Sequence, residues 1–250
     1  MSIELENVRK AFDDKVILDG VSLQVLEGET LAVIGASGVG KSVLLKTVVG
    51  LLKPDQGRVT VDGEVVTELT RDRLYELRRR VGYVFQFAAL FDSMTIAENL
   101  TMGLRRIQGM EEAEMTERVA EALRLVELEG YEGQYPAQLS GGQRKRAGLA
   151  RAIITHPKYL LYDEPTTGLD PVTTAVIDHL ITKLDEELNV TSVLVTHDMK
   201  SAYRVSDRIA LLHEGRIRFV GTPAEIQSTK DLVVRGFIEG RPELVQEGSA

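Results

Sequence analysis

The chain has 250 residues and a formal net charge of −8, and 43% of its residues are hydrophobic. This length suits one large α/β domain or one domain with an inserted lobe, and the apolar content can supply a core. The negative charge argues against a nucleic-acid-binding protein that works through a general basic field. Basic clusters at 78–80 and 144–146 are interpreted as solvated helix faces. The absence of cysteine excludes disulfides and thiolate metal sites.

No apolar run approaches the roughly 18 residues that a helix needs to span a bilayer. The first residues are acidic, where a signal peptide would be basic and then apolar. We therefore expect a cytoplasmic polypeptide, and any membrane role must come through a partner.

The first part of the chain predicts strands before and after one helix. Extended segments are expected around 3–8 and 17–25, and the apolar run 30–34 predicts a buried strand. Residues 41–52 predict a helix. The Asp-Gly pair at 62–63, between two apolar stretches, predicts a β-hairpin.

The middle of the chain has a different character. Nearly all of residues 95–156 are expected to be helical, and strand patterns return at 159–162, 192–196 and 208–213. The tail from about residue 230 predicts a short helix followed by a loose end. The simplest architecture is an α/β core interrupted by a helical insertion. The expected bounds are about 1–86 and 157–228 for the core, about 87–156 for the insertion, and 229–250 for a C-terminal extension.

The run at residues 35–42 fits G-x-x-x-x-G-K-[ST], with an apolar strand before it and a helix after it. Its glycines let backbone N–H groups turn around the phosphates of a nucleotide, and the helix presents its positive end to them. Lys41 is expected to place a positive charge on the phosphates, and the Ser42 hydroxyl is expected to ligate Mg²⁺. Alone, this motif indicates only that the chain binds a nucleoside triphosphate. The predicted phosphate-binding residues are Gly35, Ala36, Ser37, Gly38, Val39, Gly40, Lys41 and Ser42.

A second motif, Tyr-Leu-Leu-Tyr-Asp-Glu at 159–164, is a buried apolar strand with two carboxylates at its C-terminal end. Open α/β sheets bind ligands at that end. Asp163 is expected to hold Mg²⁺ through water, and Glu164 to act as the general base that polarises the attacking water. The alternative is a strand end with two surface acids.

Between these motifs lies Leu-Ser-Gly-Gly-Gln at 139–143. Together they resemble the ATP-binding-cassette (ABC) ATPases, over residues 1–228. The resemblance implies ATP and Mg²⁺ as ligands. It also implies an α/β fold, namely a P-loop NTPase (RecA-like) core with an antiparallel β subdomain and an inserted helical subdomain.

By itself, the run at 139–143 predicts a helix N-terminus with Ser140 as the N-cap. In the family this N-terminus, the signature motif, faces the γ-phosphate of ATP held by the other subunit. The resemblance therefore implies that Ser140, Gly141, Gly142 and Gln143 complete the site of a second copy.

Four further positions match the family pattern. Phe12 resembles the aromatic residue that stacks on adenine, with a core or surface phenylalanine as the alternative. Gln86 resembles the glutamine that contacts Mg²⁺ and the attacking water. Asp170 lies in the segment that communicates across the dimer. His197 resembles the histidine that hydrogen-bonds the γ-phosphate and contributes to catalysis, with a structural histidine as the alternative.

The helical insertion is short and the chain holds one cassette, without the long coiled coils of chromosome-maintenance relatives. This favours a transporter ATPase subunit whose partners are a second copy of itself and a membrane permease. The permease is expected to dock in a groove at residues 87–95, which are apolar for a loop. Packing within the helical lobe is the alternative for that segment.

The pattern at 85–99 is similar to the ATPases of Mla/Mce-type lipid transporters, as is the tail at 232–240. Gln143 and Phe87 depart from that subfamily. The expected protein is a homodimeric ATPase on the cytoplasmic face of the inner membrane that drives phospholipid or other lipid transport. Lipid-binding or regulatory subunits would be further partners. The alternatives are the ATPase of an amino-acid or small-solute importer and a soluble ABC switch protein.

Overall fold

A computed structural model describes residues 3–105, 107 and 109–249. The ten strands of these residues are β1 (Ile3–Phe12), β2 (Lys15–Val25), β3 (Thr30–Ile34), β4 (Gln56–Val61), β5 (Glu64–Val65), β6 (Val81–Val84), β7 (Tyr159–Asp163), β8 (Thr191–Thr196), β9 (Arg208–His213) and β10 (Arg216–Gly221). Their ten helices are α1 (Lys41–Val48), α2 (Arg71–Arg79), α3 (Ile96–Leu104), α4 (Glu112–Leu125), α5 (Gly141–Ile153), α6 (Pro171–Leu188), α7 (Met199–Val205), α8 (Pro223–Ser228), α9 (Leu232–Glu239) and α10 (Pro242–Ser249). Within the described ranges, none of these helices has the length and apolar content that crossing a bilayer requires.

The chain divides into two compact units. The first comprises Met1–Tyr75 and Thr191–Ala250, and the second comprises Glu76–Val190. The domain bounds expected from the sequence stay a prediction, and their outermost residues, 1 and 250, lie outside the described residues.

The first unit contains an antiparallel sheet in the order β2-β1-β4-β5. Ile3 pairs with Val25 on one side and with Val61 on the other, which fixes the register of the three longer strands. The predicted hairpin between β4 and β5 is confirmed. Its turn residues Asp62 and Gly63 both have positive φ, 51° and 79°, as a two-residue type I′ turn requires.

The same unit contains four strands in the order β10-β9-β3-β8. β3 pairs in parallel with β8 and β9, so that Ala32 lies opposite both Leu194 and Ile209. All five residues of β3 are buried, as expected for a strand in the interior of a parallel sheet. The carboxyl ends of β3 and β8 therefore meet at one edge, where the predicted phosphate loop and His197 follow them.

Helix α1 ends at Val48, so the predicted extension to residue 52 is wrong. Gly50 has φ +62°, and its N–H donates to Thr47 O (3.1 Å), while the Leu51 N–H donates to Lys46 O (2.9 Å). This pair of bonds is the Schellman motif, in which a left-handed glycine satisfies the last carbonyls of a helix. The glycine therefore stops the helix before its predicted end at residue 52.

The second unit contains the parallel pair β6 and β7, with Val81 opposite Tyr159. The predicted helical region forms the three helices α3, α4 and α5, separated by turns. Helix α5 packs directly on β6, because a Cβ on Gly82 would lie 2.3 Å from Ala152 O. The carboxyl ends of β6 and β7 meet at one edge, which places Gln86 near Asp163 and Glu164.

The tail forms two helices, α9 and α10, so the predicted loose end is wrong. Val234 joins a buried cluster with Ala32 and Ile34 of β3. Gly236 allows the two tail helices to approach, since a Cβ there would lie 2.7 Å from Val245 Cγ2. Gly236 is therefore a point of close helix packing within this tail.

Candidate active site

The phosphate loop follows β3 and depends on its glycines. A Cβ on Gly35 would lie 2.4 Å from Leu212 O, and one on Gly40 would lie 2.8 Å from Ile17 Cγ2. Gly38 has φ +77°, which side chains with a Cβ rarely adopt. Residues 36–38 are exposed and lead directly into the N-terminus of α1. The backbone is therefore arranged as an anion-binding loop at the positive end of a helix.

Lys41 opens α1 and is buried. Its Nζ donates to Gly35 O (2.9 Å) and Ala36 O (3.0 Å), so the loop itself positions the ammonium group. Ser42 follows, with its side chain half-buried. The structure thus places a fixed positive charge and a hydroxyl side by side at the end of the loop.

Two more predicted residues belong to the first unit. Phe12 ends β1 with an exposed ring, and Lys10 Nζ lies 5.4 Å from the ring centroid. Exposure of the ring removes the alternative of a core phenylalanine but leaves a surface phenylalanine open. His197 is exposed directly after β8, and Asp198 caps the following helix α7 through the Lys200 N–H (2.8 Å).

In the second unit, the structure brings Gln86 and Glu164 together. The Gln86 side-chain amide lies 3.5 Å from Glu164 Oε2, and the Thr167 hydroxyl donates to the same oxygen at 2.9 Å. Glu164 has a φ of 50°, a left-handed conformation that costs free energy for a residue with a Cβ. Such strain, with two polar side chains directed at one carboxylate, indicates a functional position.

Asp163 is buried at the end of β7 and accepts a hydrogen bond from the Tyr83 hydroxyl (3.0 Å). Burial, together with the charge of Asp163, raises the pKa of Tyr83 far above its ordinary value, so the phenol remains a donor. Sequence reasoning missed this contact, because a tyrosine within a strand resembles an ordinary core residue.

The predicted solvated helix face at 144–146 is wrong for Lys145, whereas Arg144 is exposed as predicted. Lys145 is only 8% exposed. Its ammonium group donates to the backbone carbonyl of Gln86, and it interacts electrostatically with Glu164. Burial lowers the pKa of Lys145, an effect that Glu164 opposes. No pattern in the sequence predicts this burial, because charged triplets on helices usually face water.

The signature residues form the N-terminus of α5, as predicted. Ser140 is the N-cap, with its hydroxyl accepting from the Gln143 N–H (3.2 Å) and Gln143 Oε1 accepting from the Ser140 N–H (2.8 Å). Gln143 Nε2 also donates to the Tyr131 hydroxyl (2.9 Å). The side chains of Ser140 and Gln143 therefore secure the start of the helix.

The two signature glycines differ in what surrounds them. A Cβ on Gly142 would lie 2.7 Å from Thr173 Cγ2, so packing within the unit requires glycine there. A Cβ on Gly141 would meet only Leu169 Cδ2, at the ordinary contact distance of 3.9 Å. The packing of the chain does not explain the glycine at 141.

Asp170 lies beside the signature, since both border one cavity of about 420 Å³. Its Oδ1 caps α6 by accepting from the Val172 N–H (2.9 Å) and the Thr173 N–H (3.0 Å). A hydrogen bond from the Thr173 hydroxyl is the main cause that lowers the pKa of Asp170, and the two backbone bonds lower it further. The carboxylate is thus ionised and oriented by its own helix.

The segment around Gln86 carries three exposed phenylalanines, Phe85, Phe87 and Phe91, which we call the aromatic patch. Phe87 is 81% exposed, which argues against the alternative that the segment only packs within the helical lobe. Exposed apolar groups of this size mark interaction surfaces. Phe85 directly precedes the candidate catalytic residue Gln86, and Phe87 and Phe91 follow it.

Asn99, fully buried on α3, holds this loop in place. Its Oδ1 accepts from the Phe91 N–H (2.7 Å), and its Nδ2 lies within bonding distance of three carbonyls, those of Phe91 (3.1 Å), Met94 (3.2 Å) and Thr95 (2.9 Å). One side chain therefore satisfies most of the polar backbone of the turn.

Asn99→Ala is expected to lower the free energy of unfolding by about 3 kcal/mol, because buried backbone groups lose their partners. Urea unfolding measures this. Thr101→Ala on the same helix, where the hydroxyl bonds only Glu98 O at the surface, is the control and should change stability by less than about 0.5 kcal/mol. Equal stability of the two variants would contradict the role of Asn99.

The phosphate loop of the first unit and the strand-end carboxylate pair of the second are each features of nucleoside-triphosphate hydrolases. The chain also matches the family model described as ABC transporter over residues 18–167. It belongs to the ABC transporter family. The predicted family is therefore confirmed, and with it ATP hydrolysis and the binding of ATP with Mg²⁺.

Curated relatives extend this result. The chain is 42% identical to a sulfate/thiosulfate import ATP-binding protein of Caulobacter vibrioides, over 95% of this chain and 70% of that protein. It is 40% identical to a probable ribonucleotide transport ATP-binding protein of Mycobacterium leprae, over 96% of this chain and 70% of that protein. A methionine import ATP-binding protein of Brucella abortus is 45% identical over 86% of this chain and 58% of its own length. The chain is thus an ATP-binding subunit of an ABC transporter.

A solved structure of a dimeric ATP-binding cassette in a post-hydrolysis state, bound to ADP and Pi, matches with a TM-score of 0.81 and 35% identity. The match covers 88% of this chain and 98% of that one. The predicted fold class, an α/β P-loop NTPase with antiparallel and helical subdomains, is confirmed.

Proposed function

We propose that the chain works as a homodimer in which each ATP lies between two copies and drives a membrane permease. The observation that carries the shared site is Gly141, where the chain's own packing leaves room for a side chain. A glycine there is explained if a ligand approaches the helix N-terminus from outside the chain. The ligand that fits is the γ-phosphate of ATP bound to the phosphate loop of the second copy. The solved relative supports this proposal, since it is dimeric.

Within this site we propose distinct roles for the residues of each unit. The Ser42 hydroxyl and the Asp163 carboxylate would hold Mg²⁺, because both are the oxygen ligands that this ion prefers. Gln86 would join them and orient the attacking water. Glu164 would take the proton of that water, supported by Thr167.

The remaining predicted residues would bind the nucleotide. Residues 35–41 would bind the phosphates, His197 would donate to the γ-phosphate, and Phe12 would stack on adenine, which its exposed ring allows. Asp170 would act across the dimer close to the signature of its own chain.

The permease is the proposed partner of the aromatic patch. Exposed phenylalanines on a loop held by Asn99 suit a short amphipathic helix of a partner, which lays its apolar face into such a surface. Docking there would place the chain on the cytoplasmic face of the inner membrane. It would also connect the permease to Gln86, the first residue of the same loop.

Phe87→Glu is expected to leave the ATPase activity of the isolated subunit within about twofold, because the side chain is almost wholly exposed. It should lower co-purification with the permease at least tenfold, because a carboxylate would be buried against apolar groups. Leu51→Glu is the matched control, since it adds the same charge at an exposed apolar residue elsewhere. If the Phe87 variant still assembles and transports normally, the patch does not receive the permease.

For the cargo we propose phospholipid or another hydrophobic lipid. The support is the resemblance at residues 85–99 and 232–240 to Mla/Mce-type ATPases. A small solute is the second candidate, favoured by the import functions named for the sulfate/thiosulfate and methionine relatives. A soluble switch protein would need no permease.

The cargo test uses the subunit purified with its co-captured membrane partner in proteoliposomes. ATP-dependent transfer of a fluorescent phospholipid, without uptake of labelled sulfate or methionine, would support the lipid proposal. Uptake of either solute without lipid transfer would reject it in favour of the importer. Failure to capture any membrane partner would favour the switch protein.

A further inference from the structure

Helix α5 does more in this structure than present the signature motif at its N-terminus. Three of its residues contact the segment 86–89, which begins at Gln86 and includes Phe87 of the aromatic patch. Lys145 donates to the Gln86 carbonyl, and Arg151 donates to the carbonyls of Ala88 (2.7 Å) and Ala89. Gly148 lies between them, and a Cβ there would be 3.0 Å from Ala88 Cβ. We name these three residues the α5 clamp.

The segment under the clamp is strained. Ala88 and Ala89 have φ values of 58° and 50°, two consecutive left-handed residues that each have a Cβ. This conformation is unfavourable for residues with a Cβ, so surrounding contacts must hold it. The clamp supplies those contacts, because Arg151 binds both strained residues and the missing Cβ of Gly148 lets Ala88 approach the helix.

Lys145 also lies beside the other predicted catalytic group. Its ammonium is buried, donates to the Gln86 backbone and interacts electrostatically with Glu164. A charge that is removed from water in this way must be compensated by its partners, here a carbonyl and a carboxylate. A lysine in this position therefore fixes the distance between the loop of Gln86 and the start of the helix that carries the signature.

We propose that Lys145 is a positioning residue for ATP hydrolysis: it holds the Gln86 loop against the signature helix, so that the side chain of Gln86 stays on Glu164. Arg151 supports the same geometry from the far end of the loop. This inference rests on the roles proposed above for Gln86 and Glu164. It assigns to Lys145 and Arg151 a function in hydrolysis, and neither residue is among those proposed above to bind ATP.

The test compares kcat and KM for ATP in the wild type and in Lys145→Met, which keeps the length of the side chain and removes the donor and the charge. We expect kcat to fall roughly 10- to 100-fold, the usual effect of losing a hydrogen bond from a charged donor, with KM changed less than about twofold. Lys145→Arg should recover most of the loss. Lys183→Met, on the outer face of α6, is the matched control for the loss of a lysine and should have wild-type kcat.

Dimer formation in a Glu164→Gln background separates a positioning role from a merely structural one. If Lys145 only positions the hydrolytic groups, the ATP-dependent dimer should form as well with Lys145→Met as without it. A kcat within twofold of wild type, a change confined to KM, or loss of the dimer would each overturn the inference. If Lys145→Met does not fold, Lys145→Leu, which also lacks the donor and the charge, is judged by the same kcat and KM criteria. Wild-type turnover in Glu164→Gln alone would instead reject the proposed active site, independently of the role of Lys145.

Discussion

Glu164→Gln is expected to bind ATP normally and to hydrolyse it about 10²–10⁴-fold more slowly than the wild type. The amide keeps the size of the side chain and an oxygen that can accept from the Thr167 hydroxyl, so the strained turn at φ 50° should survive. It loses the basicity that would take a proton from water. ATP should therefore accumulate between two copies, and the dimer should persist.

Two measurements check this prediction: the rate of phosphate release and the elution of the ATP-bound protein in size-exclusion chromatography. Glu186→Gln, on the exposed side of α6, is the control for the loss of one carboxylate and should behave as wild type. Near-normal turnover in Glu164→Gln would remove this residue as the base. Slow turnover without a stable dimer would support Glu164 as the base but contradict a site shared between two copies.

Gly141→Asp is expected to abolish ATP-dependent dimerisation and to lower turnover by on the order of 100-fold, because a carboxylate would face the γ-phosphate of the other copy's ATP. The repulsion in a site that excludes water should exceed the ~1 kcal/mol of a surface pair severalfold. The fold itself should tolerate the change, since the new Cβ would meet only Leu169. An acidic residue in the first turn of α5 also interacts favourably with the helix dipole.

The control for this variant is Gly133→Asp, which adds the same side chain at an exposed glycine with open space around it. Both variants should melt within a few degrees of the wild type, and only Gly141→Asp should lose activity. Unchanged ATPase activity in Gly141→Asp would contradict the trans geometry. A large drop in its melting temperature would show that Gly141 serves the fold instead.

Much of the candidate site could be predicted from the sequence because its residues are contiguous or lie at strand ends. The phosphate loop needs three glycines within six residues, and the strand-end acids follow an apolar run. Such patterns can be recognised directly in the amino-acid sequence. The helix N-cap at Ser140 could equally be predicted, because the two bonds between Ser140 and Gln143 join residues only three apart in the sequence.

The contacts that the sequence did not predict join distant residues. Tyr83 and Asp163 are 80 positions apart, and Lys145 and Gln86 are 59 apart, so neither pair leaves a periodic signal. Their side chains meet because β6 and β7 are parallel neighbours and α5 packs on β6. Lys145 shows the limit clearly, because a lysine between two arginines is solvated in most helices and here is buried.

Glycine caused both errors of element length. Gly50 ends α1 through its left-handed conformation, whereas the prediction continued the helix past this glycine to residue 52. In the tail, Gly236 and Gly248 serve close packing of α9 on α10 and not flexibility. A glycine that permits a contact cannot be distinguished from one that permits a turn without the tertiary structure.

Equal mixtures of Glu164→Gln and Gly141→Asp protein test the shared site most directly. Each variant alone should be nearly inactive. A mixed dimer joins the intact Glu164 and phosphate loop of one copy to the intact signature of the other, so one of its two sites is whole. The account predicts that the mixture is clearly more active than the sum of the two variants, with about one quarter of wild-type turnover as the upper limit that random pairing would give. A mixture no more active than the sum of the two variants would contradict a site completed by the second copy.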